Sequence, residues 1–298
     1  MMAAFDRYND GTRNPPRLQI QHSLWSLIKL PMNSPKEWTL EEKLSRVKEA
    51  GFAGVECWLS DEDEAEKKEA LDRHGLRLTL GHHPHSLDDT RAVVARAKRL
   101  GADFVFAQPL NPYVPIPEAA KFCREARKIA GDEGLSLFIE THRNNVPEGL
   151  NQALQLIDAY PEIRFTGDLS HFVVIGEFYG LEYERAIERM MPVLSRVSHL
   201  HGRISNGEQV QVDVGDGSTP PARFFVEIWT AAMRAWRAGA GPGDVLPFAS
   251  ELGPPRYAIT LPDGSEFSDR WTQSLVMKKL AEEAWAASET PPRPAFAP

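Results

Sequence analysis

Residues 135–143 read Leu-Ser-Leu-Phe-Ile-Glu-Thr-His-Arg, an apolar run that ends at an acid. Short apolar runs of this kind are typical of strands buried on both faces of a parallel sheet. Glu140 stands where the strand should end, and burying its carboxylate is costly unless the group is paired or coordinated. The run therefore predicts a core strand that ends either in a functional acid or in a structural pair between Glu140 and Arg143.

Three later runs repeat this design, with an acid or an imidazole where an apolar strand should end. They are residues 164–171, 197–203 and 247–253. Taken alone, Asp168 could cap a helix and Glu251 could form a salt bridge at the rim of the fold. His199 and His201 alternate along one strand, so their side chains should share a face, with His199 level with His201 or one layer deeper. The polar residues at these four strand ends together favour one shared functional site.

Eight apolar runs alternate with eight helical patterns along the chain. Strands are predicted at residues 18–24, 54–58, 77–81, 104–108, 135–140, 164–168, 197–201 and 247–251. Helices are predicted at residues 39–50, 60–74, 87–100, 117–130, 147–159, 182–194, 222–238 and 270–286. This count and size match a closed (β/α)₈ TIM barrel. A doubly wound open sheet is the alternative, but no G-x-G-x-x-G motif follows the first strand.

The 298 residues are predicted to form a single barrel domain over residues 1–298. Its core should span about residues 18–286, with a polar segment at 1–17 and a proline-rich tail at 287–298. Residues 204–221 and 253–269 form two long loops on the face where barrel active sites lie, which makes them candidate lids. Within the second loop, residues 257–267 resemble a hairpin with an Asp-Gly turn.

The charge balance narrows the range of partners. The chain carries 34 basic and 42 acidic residues, a net charge of −8, and it has no long basic run. Binding to nucleic acid or to an anionic membrane surface is therefore not expected. There is no apolar run long enough to span a bilayer and no apolar leader, and two cysteines do not make a disulfide framework. These features predict a cytoplasmic protein.

The four strand endings supply the donor atoms of a metal site. In a barrel of parallel strands, the carboxyl ends converge on one point. Three carboxylates and an imidazole favour Mn²⁺, with Mg²⁺ and Co²⁺ as alternatives, and the lack of thiolates disfavours structural zinc. We therefore expect one divalent metal ion as cofactor.

The order Glu, Asp, His and Glu on strands five to eight resembles the xylose isomerase-like TIM barrel superfamily. This superfamily includes sugar phosphate isomerases, ketose 3-epimerases and the type IV endonucleases. The resemblance covers about residues 18–286 and implies that Glu140, Asp168, His201 and Glu251 bind one divalent ion. It also implies that the two glutamates exchange protons with the substrate and that His171, from the Asp-x-x-His pattern, contacts it.

Other polar residues depart from the epimerase pattern or follow other strands, and they are predicted substrate contacts. They are Arg203, His142, Arg143, Glu56, His83 and Gln108. Arg143 and Arg203 could bind a phosphate or orient a catalytic carboxylate. Glu56 could hold a substrate hydroxyl or support the histidines. The cluster His82, His83 and His85 could supply an acid, a base or a second metal ligand, or could lie exposed in a loop.

The donor set permits several reactions at a carbon next to a carbonyl. The leading hypothesis is a metal-dependent isomerase or epimerase of a sugar or keto-sugar that works through a metal-stabilised enediolate. The alternative is a carbon–oxygen lyase or dehydratase of the same fold, which eliminates a β-substituent from a 3-keto-sugar or keto-glycoside. A third hypothesis is a barrel that binds a sugar without chemistry. The partner is a small sugar in each case, and the resemblance implies a homodimer or homotetramer.

Overall fold

The computed structural model describes residues 5–59, 64–178 and 183–290. Eight parallel strands form a ring in which each pairs with the next, and the last closes the ring by pairing with the first. They are β2 (Arg17–Ser23), β3 (Gly54–Cys57), β4 (Arg77–His82), β5 (Val105–Ala107), β6 (Leu137–Glu140), β7 (Phe165–Gly167), β8 (Val197–Gly202) and β9 (Asp244–Ser250). The predicted (β/α)₈ barrel is confirmed, and each predicted strand lies within a few residues of an observed one.

Helices surround the barrel and follow the strands in turn. They are α1 (Leu40–Glu49), α2 (Glu64–His74), α3 (Leu87–Leu100), α4 (Ile116–Asp132), α5 (Leu150–Ala159), α6 (Leu169–Ile175), α7 (Tyr183–Leu194), α8 (Pro220–Arg237) and α9 (Arg270–Ala287). The short helix α6 was not predicted. The predicted starts of two helices, at residues 60 and 182, lie outside the described residues, as does most of the proline-rich tail.

Local sequence signals explain where several helices begin and end. At Thr39, the side chain accepts a hydrogen bond from the backbone N–H of Glu42, whose carboxylate accepts from the backbone N–H of Thr39. Ser86 and Asp89 form the same reciprocal capping box at the start of α3. Helix α3 ends at Gly101, whose φ of 67° lies in the left-handed region that glycine adopts without strain.

The amino end of the barrel is closed by a strand that the sequence did not predict. Residues Tyr8–Asn9 form β1, which pairs antiparallel with the start of β9. The Tyr8 side chain packs in a small apolar cluster with Phe104, Phe138 and Val245. The predicted polar segment at residues 1–17 therefore contributes apolar packing as well as backbone pairing at this end.

The loop after β9 folds back over the carboxyl end of the barrel. A bridge between Thr260 and Glu266 forms the predicted hairpin, and Gly264 in its turn has a φ of 83°. The buried Arg270 binds the Glu266 carboxylate and donates to the carbonyl of Ile28 at 2.6 Å. These contacts fix the hairpin to the segment that follows β2. In the described part of the chain, no helix has the length and apolar character to cross a membrane.

Candidate metal centre

The four predicted ligand residues meet at the carboxyl end of the barrel. Glu140 ends β6, Asp168 follows β7, His201 lies on β8 and Glu251 follows β9. Each offers one ligand atom, and these atoms all lie within 4.8 Å of one another. All four side chains are buried in the barrel interior. The strand ends therefore converge as the sequence predicted.

Two of these donor atoms have no hydrogen-bond partner in the described structure, although they are buried. They are Oε1 of Glu140 and Nδ1 of His201. The His201 Nδ1 atom lies 3.5 Å from Glu140 Oε1 and 3.0 Å from Glu251 Oε2. Buried polar atoms normally find partners, so two unpaired atoms at one point are compatible with a bound cation there. Three carboxylates and one imidazole fit a divalent cation, which makes this a possible metal site.

Arg203 is the cation that the chain itself places among these carboxylates. It is 1% exposed, with Nε 3.1 Å from Asp168 Oδ2 and a terminal nitrogen 2.7 Å from Glu251 Oε2. The other terminal nitrogen donates to Gln211 Oε1 at 2.8 Å. Burial alone would lower the pKa of Arg203, but Glu251 and Asp168 outweigh it and raise that pKa. Because all three nitrogens are engaged, the geometry favours carboxylate orientation over phosphate binding for Arg203.

The surplus of acids also controls the charge of His201. Burial disfavours its imidazolium form, but the carboxylates of Glu56, Glu251 and Glu140 outweigh that effect and hold the pKa of His201 well above its ordinary value. Burial would raise the pKa of Glu251, yet His201 and Arg203 lower it overall. In the absence of a metal ion, a protonated His201 would therefore balance part of the negative charge.

Glu56 and His199 lie deeper in the barrel, beneath His201. The Oε2 atom of Glu56 is 3.0 Å from Nε2 of His201 and 3.7 Å from Nε2 of His199. Both histidines face the barrel interior, with His199 packed edge-on against Phe104. Burial raises the pKa of Glu56, against the opposing effect of His201. Glu56 is 1% exposed, so its contacts favour support of the histidines over the predicted contact with a substrate hydroxyl.

A cavity of about 450 Å³ opens above the carboxylates. Its lining consists of three aromatic rings and five polar side chains: Trp25, Trp58, Tyr257, His83, Gln108, His142, Arg203 and Glu251. Four predicted substrate contacts, His83, Gln108, His142 and Arg203, thus face this cavity. Three others do not line it: Glu56 lies below, His171 is fully buried, and Arg143 packs over the Tyr257 ring at 5.2 Å.

The histidines after β4 do not act as one cluster. His83 stacks on Trp58 with ring centroids 4.2 Å apart and lines the cavity, and both His83 and His85 are exposed. His82 is buried on the other side of the strand, beside Val93 of α3. His22 likewise faces the helices, stacked on Trp271 at 5.6 Å. The strand alternation separates these rings, so they do not form a second metal site.

A hydrogen-bonded chain of side chains fixes the His142 ring at the cavity. The Asn145 amide nitrogen donates to the carbonyls of Gln108 and Leu110 at 3.3 and 3.0 Å, so its oxygen must face Nδ1 of His142, 3.1 Å away. A proton on Nδ1 completes that bond and leaves Nε2 to accept from the Tyr257 hydroxyl at 3.3 Å. Asn145 was not singled out from the sequence.

His171 lies beneath this ring, with centroids 4.1 Å apart. Burial lowers its pKa well below the ordinary value, and the neighbouring charges of His142, Arg203 and Arg143 add to the effect. Both of its ring nitrogens lack a hydrogen-bond partner in the described structure. His171 is therefore a neutral group. It lies behind His142 and does not line the cavity itself.

Gly253 and Gln211 hold the rim of the cavity together. Gln211 accepts from the backbone N–H of Gly253 at 2.7 Å and donates to its carbonyl at 3.0 Å. A Cβ atom at Gly253 would lie 2.4 Å from the Trp25 ring and 2.7 Å from Cβ of Tyr257. Only glycine lets these two aromatic side chains approach so closely. No sequence pattern pointed to Gln211, which acts across a long loop.

The fold and the convergent donors define the class of the protein: a TIM barrel with a possible metal site at the carboxyl ends of its strands. The model of the xylose isomerase-like TIM barrel family matches residues 44–231. The chain belongs to this family, and the predicted resemblance is confirmed. Most proteins of this fold family are enzymes, including isomerases and dehydratases.

Solved structures with the same fold are distant in sequence. A xylose isomerase-like TIM barrel protein from Mycobacterium smegmatis, in complex with magnesium, is 14% identical with a TM-score of 0.56, covering 91% of this chain and 97% of that one. The probable 3-DHS dehydratase AsbF of petrobactin synthesis from Bacillus anthracis is 13% identical with a TM-score of 0.55, covering 88% and 98%. A comparison with curated proteins gave no match. These likenesses support the fold alone.

Proposed function

We propose that this protein is a divalent-metal-dependent isomerase or epimerase that acts on a sugar or keto-sugar. The observation that carries the proposal is the convergence of Glu140, Asp168, His201 and Glu251 beneath a cavity, with two donor atoms left unpaired. These four side chains would hold the ion. Oxygen-rich donor sets of this kind favour Mn²⁺, with Mg²⁺ and Co²⁺ as alternatives.

The two glutamates are the proposed proton carriers. A bound divalent ion would supply Lewis acidity to a carbonyl oxygen and an adjacent hydroxyl of the substrate, which eases loss of the neighbouring C–H proton and favours an enediolate. Gln108 donates to Oε2 of Glu140 at 2.9 Å, whereas Oε1 has no hydrogen-bond partner in the described structure. Since Oε1 would bind the ion, Oε2 is the oxygen left to accept a proton, and Gln108 orients it. Arg203 orients Glu251, the second carrier, from the other side.

The cavity supports a small cyclic or open-chain polyol as substrate. Its volume of about 450 Å³ lies in the usual range for small-molecule sites. Trp25, Trp58 and Tyr257 offer flat apolar surfaces, while Gln108, His83 and His142 offer hydrogen bonds. Arg143 makes no ion pair among the described residues and remains a candidate contact for an acidic group. We further propose a cytoplasmic location, a homodimer or homotetramer, and no nucleic-acid or membrane partner.

One observation favours a lyase as the second candidate. The Tyr257 hydroxyl, which His142 holds at the cavity, is a potential proton donor outside the metal-ligand set. Elimination of a β-hydroxyl or a glycosidic oxygen requires such a donor for the leaving group, whereas epimerisation needs only two groups that exchange carbon-bound protons. The same site could therefore act on a 3-keto-sugar or keto-glycoside. A barrel that binds a sugar without chemistry is the third candidate.

Incubation of the Mn²⁺-loaded protein in D₂O with ketoses, aldoses and keto-glycosides tests these functions. Deuterium in the recovered or isomerised sugar supports the isomerase or epimerase. Release of water or an alcohol with formation of an unsaturated ketone supports the lyase. Binding without either product across the panel contradicts both catalytic proposals and favours the sugar-binding barrel.

A further inference from the structure

Glu56 is a buried acid that the proposed proton transfers do not use. It lies on β3, inside the barrel, with the ring of His201 between its carboxylate and those of Glu140 and Glu251. Its Oε2 atom has no aligned hydrogen bond, although Nε2 of His201 is only 3.0 Å away. A carboxylate at this depth is costly to bury, so its place next to a candidate ligand needs an explanation.

The two nitrogens of the His201 ring face different carboxylates. Nδ1 faces the four-residue centre, 3.0 Å from Glu251 and 3.5 Å from Glu140, whereas Nε2 faces Glu56. A ring nitrogen binds a cation through its lone pair, so the ring proton must then sit on the other nitrogen. For His201 that is Nε2, and the group next to it is an acceptor.

We propose that Glu56 is a positioning residue, which accepts the Nε2 proton of His201 and so presents the Nδ1 lone pair to the metal. This inference rests on the proposed metal site. Carboxylates that bind the outer nitrogen of a ligand histidine fix its tautomer and its orientation. Glu56 thus acts through His201 and contacts no substrate.

A second ion bound by Glu56, His199 and His201 is the competing explanation, since their donor atoms also lie within 4.8 Å of one another. With both ions bound, His201 would have to give up both ring protons and bridge as an imidazolate. The rings of Phe104 and Phe106 pack against the two histidines at 4.9 and 5.0 Å, which adds apolar surroundings. A single ion with a carboxylate behind its histidine avoids this second deprotonation.

The test compares Glu56→Gln and Glu56→Ala with the unaltered protein, after metal removal. Mn²⁺ titration followed by electron paramagnetic resonance gives affinity and stoichiometry. We expect one ion per chain and an affinity weakened about 10–100-fold in Glu56→Ala. Glu56→Gln should retain part of the affinity, because its amide oxygen still accepts the proton. Asp103→Asn is the matched control, since Asp103 is a buried acid at the other end of the barrel.

The tautomer of His201 provides a second measurement, which a general loss of packing would not change. With ¹⁵N-labelled histidine and Mg²⁺ bound, His201 should carry its proton on Nε2 in the unaltered protein and lose that preference in Glu56→Ala. Unchanged affinity and tautomer in both variants would overturn the positioning role. Two ions per chain, reduced to one by His199→Gln, would overturn it in favour of a second site. If the unaltered protein binds no ion, the proposed function itself fails.

Discussion

The two ends of this barrel both bury acids, but they balance them differently. At the amino end, Asp6 pairs with Arg127 and Arg164, each at 2.8 Å. Asp103 there pairs with Arg77 and accepts from a glutamine side chain at 3.2 Å. At the carboxyl end, the described structure brings Glu140, Asp168 and Glu251 together at His201, which also contacts Glu56, while Arg203 pairs with only Asp168 and Glu251.

This difference distinguishes the ion pairs at the amino end, which stabilise the fold, from the group of acids at the carboxyl end, which the proposed metal ion would neutralise. Buried charges persist when they are paired and hydrogen-bonded, as at the amino end. An uncompensated group of acids destabilises the chain unless a cation joins it. The carboxyl end therefore fits the proposed cation site, whereas the amino end is a structural closure, although both are built from the same residue types.

Metal removal should give the largest contrast between the two ends. We expect a chelator to abolish activity and Mn²⁺ to restore it, because three carboxylates at one point require the cation. Mn²⁺ should also raise the unfolding temperature of the metal-free protein, through preferential binding to the native state. Measurement of turnover and thermal unfolding before and after dialysis checks this. Full activity in metal-free protein would contradict the assignment.

Glu140→Gln should give the next largest effect. The amide keeps the shape of the side chain but cannot take a proton, so turnover should fall on the order of 10²–10⁴-fold. Steady-state kinetics at saturating Mn²⁺ separate this loss from weaker metal binding. Asp103→Asn, the same acid-to-amide change at the amino end, serves as the control and should leave turnover unchanged. Equal losses of turnover in the two variants would contradict the proposed difference between the two ends of the barrel.

Asp6→Ala should affect stability and spare the metal centre. It leaves the nearly buried Arg127 without its acid, which should lower the free energy of unfolding by about 3 kcal/mol. Urea unfolding measures the loss, and Mn²⁺ titration should give an unchanged affinity. Asp88→Ala, in an exposed pair with Arg91, should barely alter stability. A change in metal affinity in Asp6→Ala would show that the two ends are coupled.

The smallest effect concerns His22, near the carboxyl end but outside the barrel interior. Burial lowers the pKa of His22 to about 4, whereas the unfolded chain protonates it near 6.5. Stability contributed by the neutral ring is therefore present above pH 6.5 and is lost as the pH falls towards 4. Between pH 7 and 5 the loss should be about 2 kcal/mol. Urea unfolding of His22→Phe should show a correspondingly flatter pH dependence, and an unchanged slope would contradict it.

The sequence was sufficient to predict the barrel and the four convergent side chains, because apolar runs alternate with helical patterns along the chain and the later runs end in polar residues. It could not show which way the strand histidines face. Strands buried on both faces are apolar at every position. Their sequence pattern therefore does not show which side chains point into the barrel and which point towards the helices. His82 was therefore a candidate site residue, yet it faces the helices.

Other features of the fold and of the site could not be predicted, because they depend on contacts between distant segments. Strand β1 has two residues, too few to show a period, and it forms only because β9 pairs with it. Asp168 was predicted either to cap a helix or to join the shared site. The structure shows the cap, because Asp168 accepts from the N–H of Ser170 at 3.2 Å, and its other oxygen contacts Arg203 within the possible metal site.

Gly253 has a consequence for redesign of the pocket. Since any side chain there would collide with Trp25 and Tyr257, even an alanine should force one of these rings to a new rotamer and alter the width of the entrance. Libraries meant to change substrate range should therefore hold residue 253 constant and vary Trp58 and His83, whose stacked pair also lines the cavity. Among related barrels, a larger residue at this position should mark a differently shaped entrance.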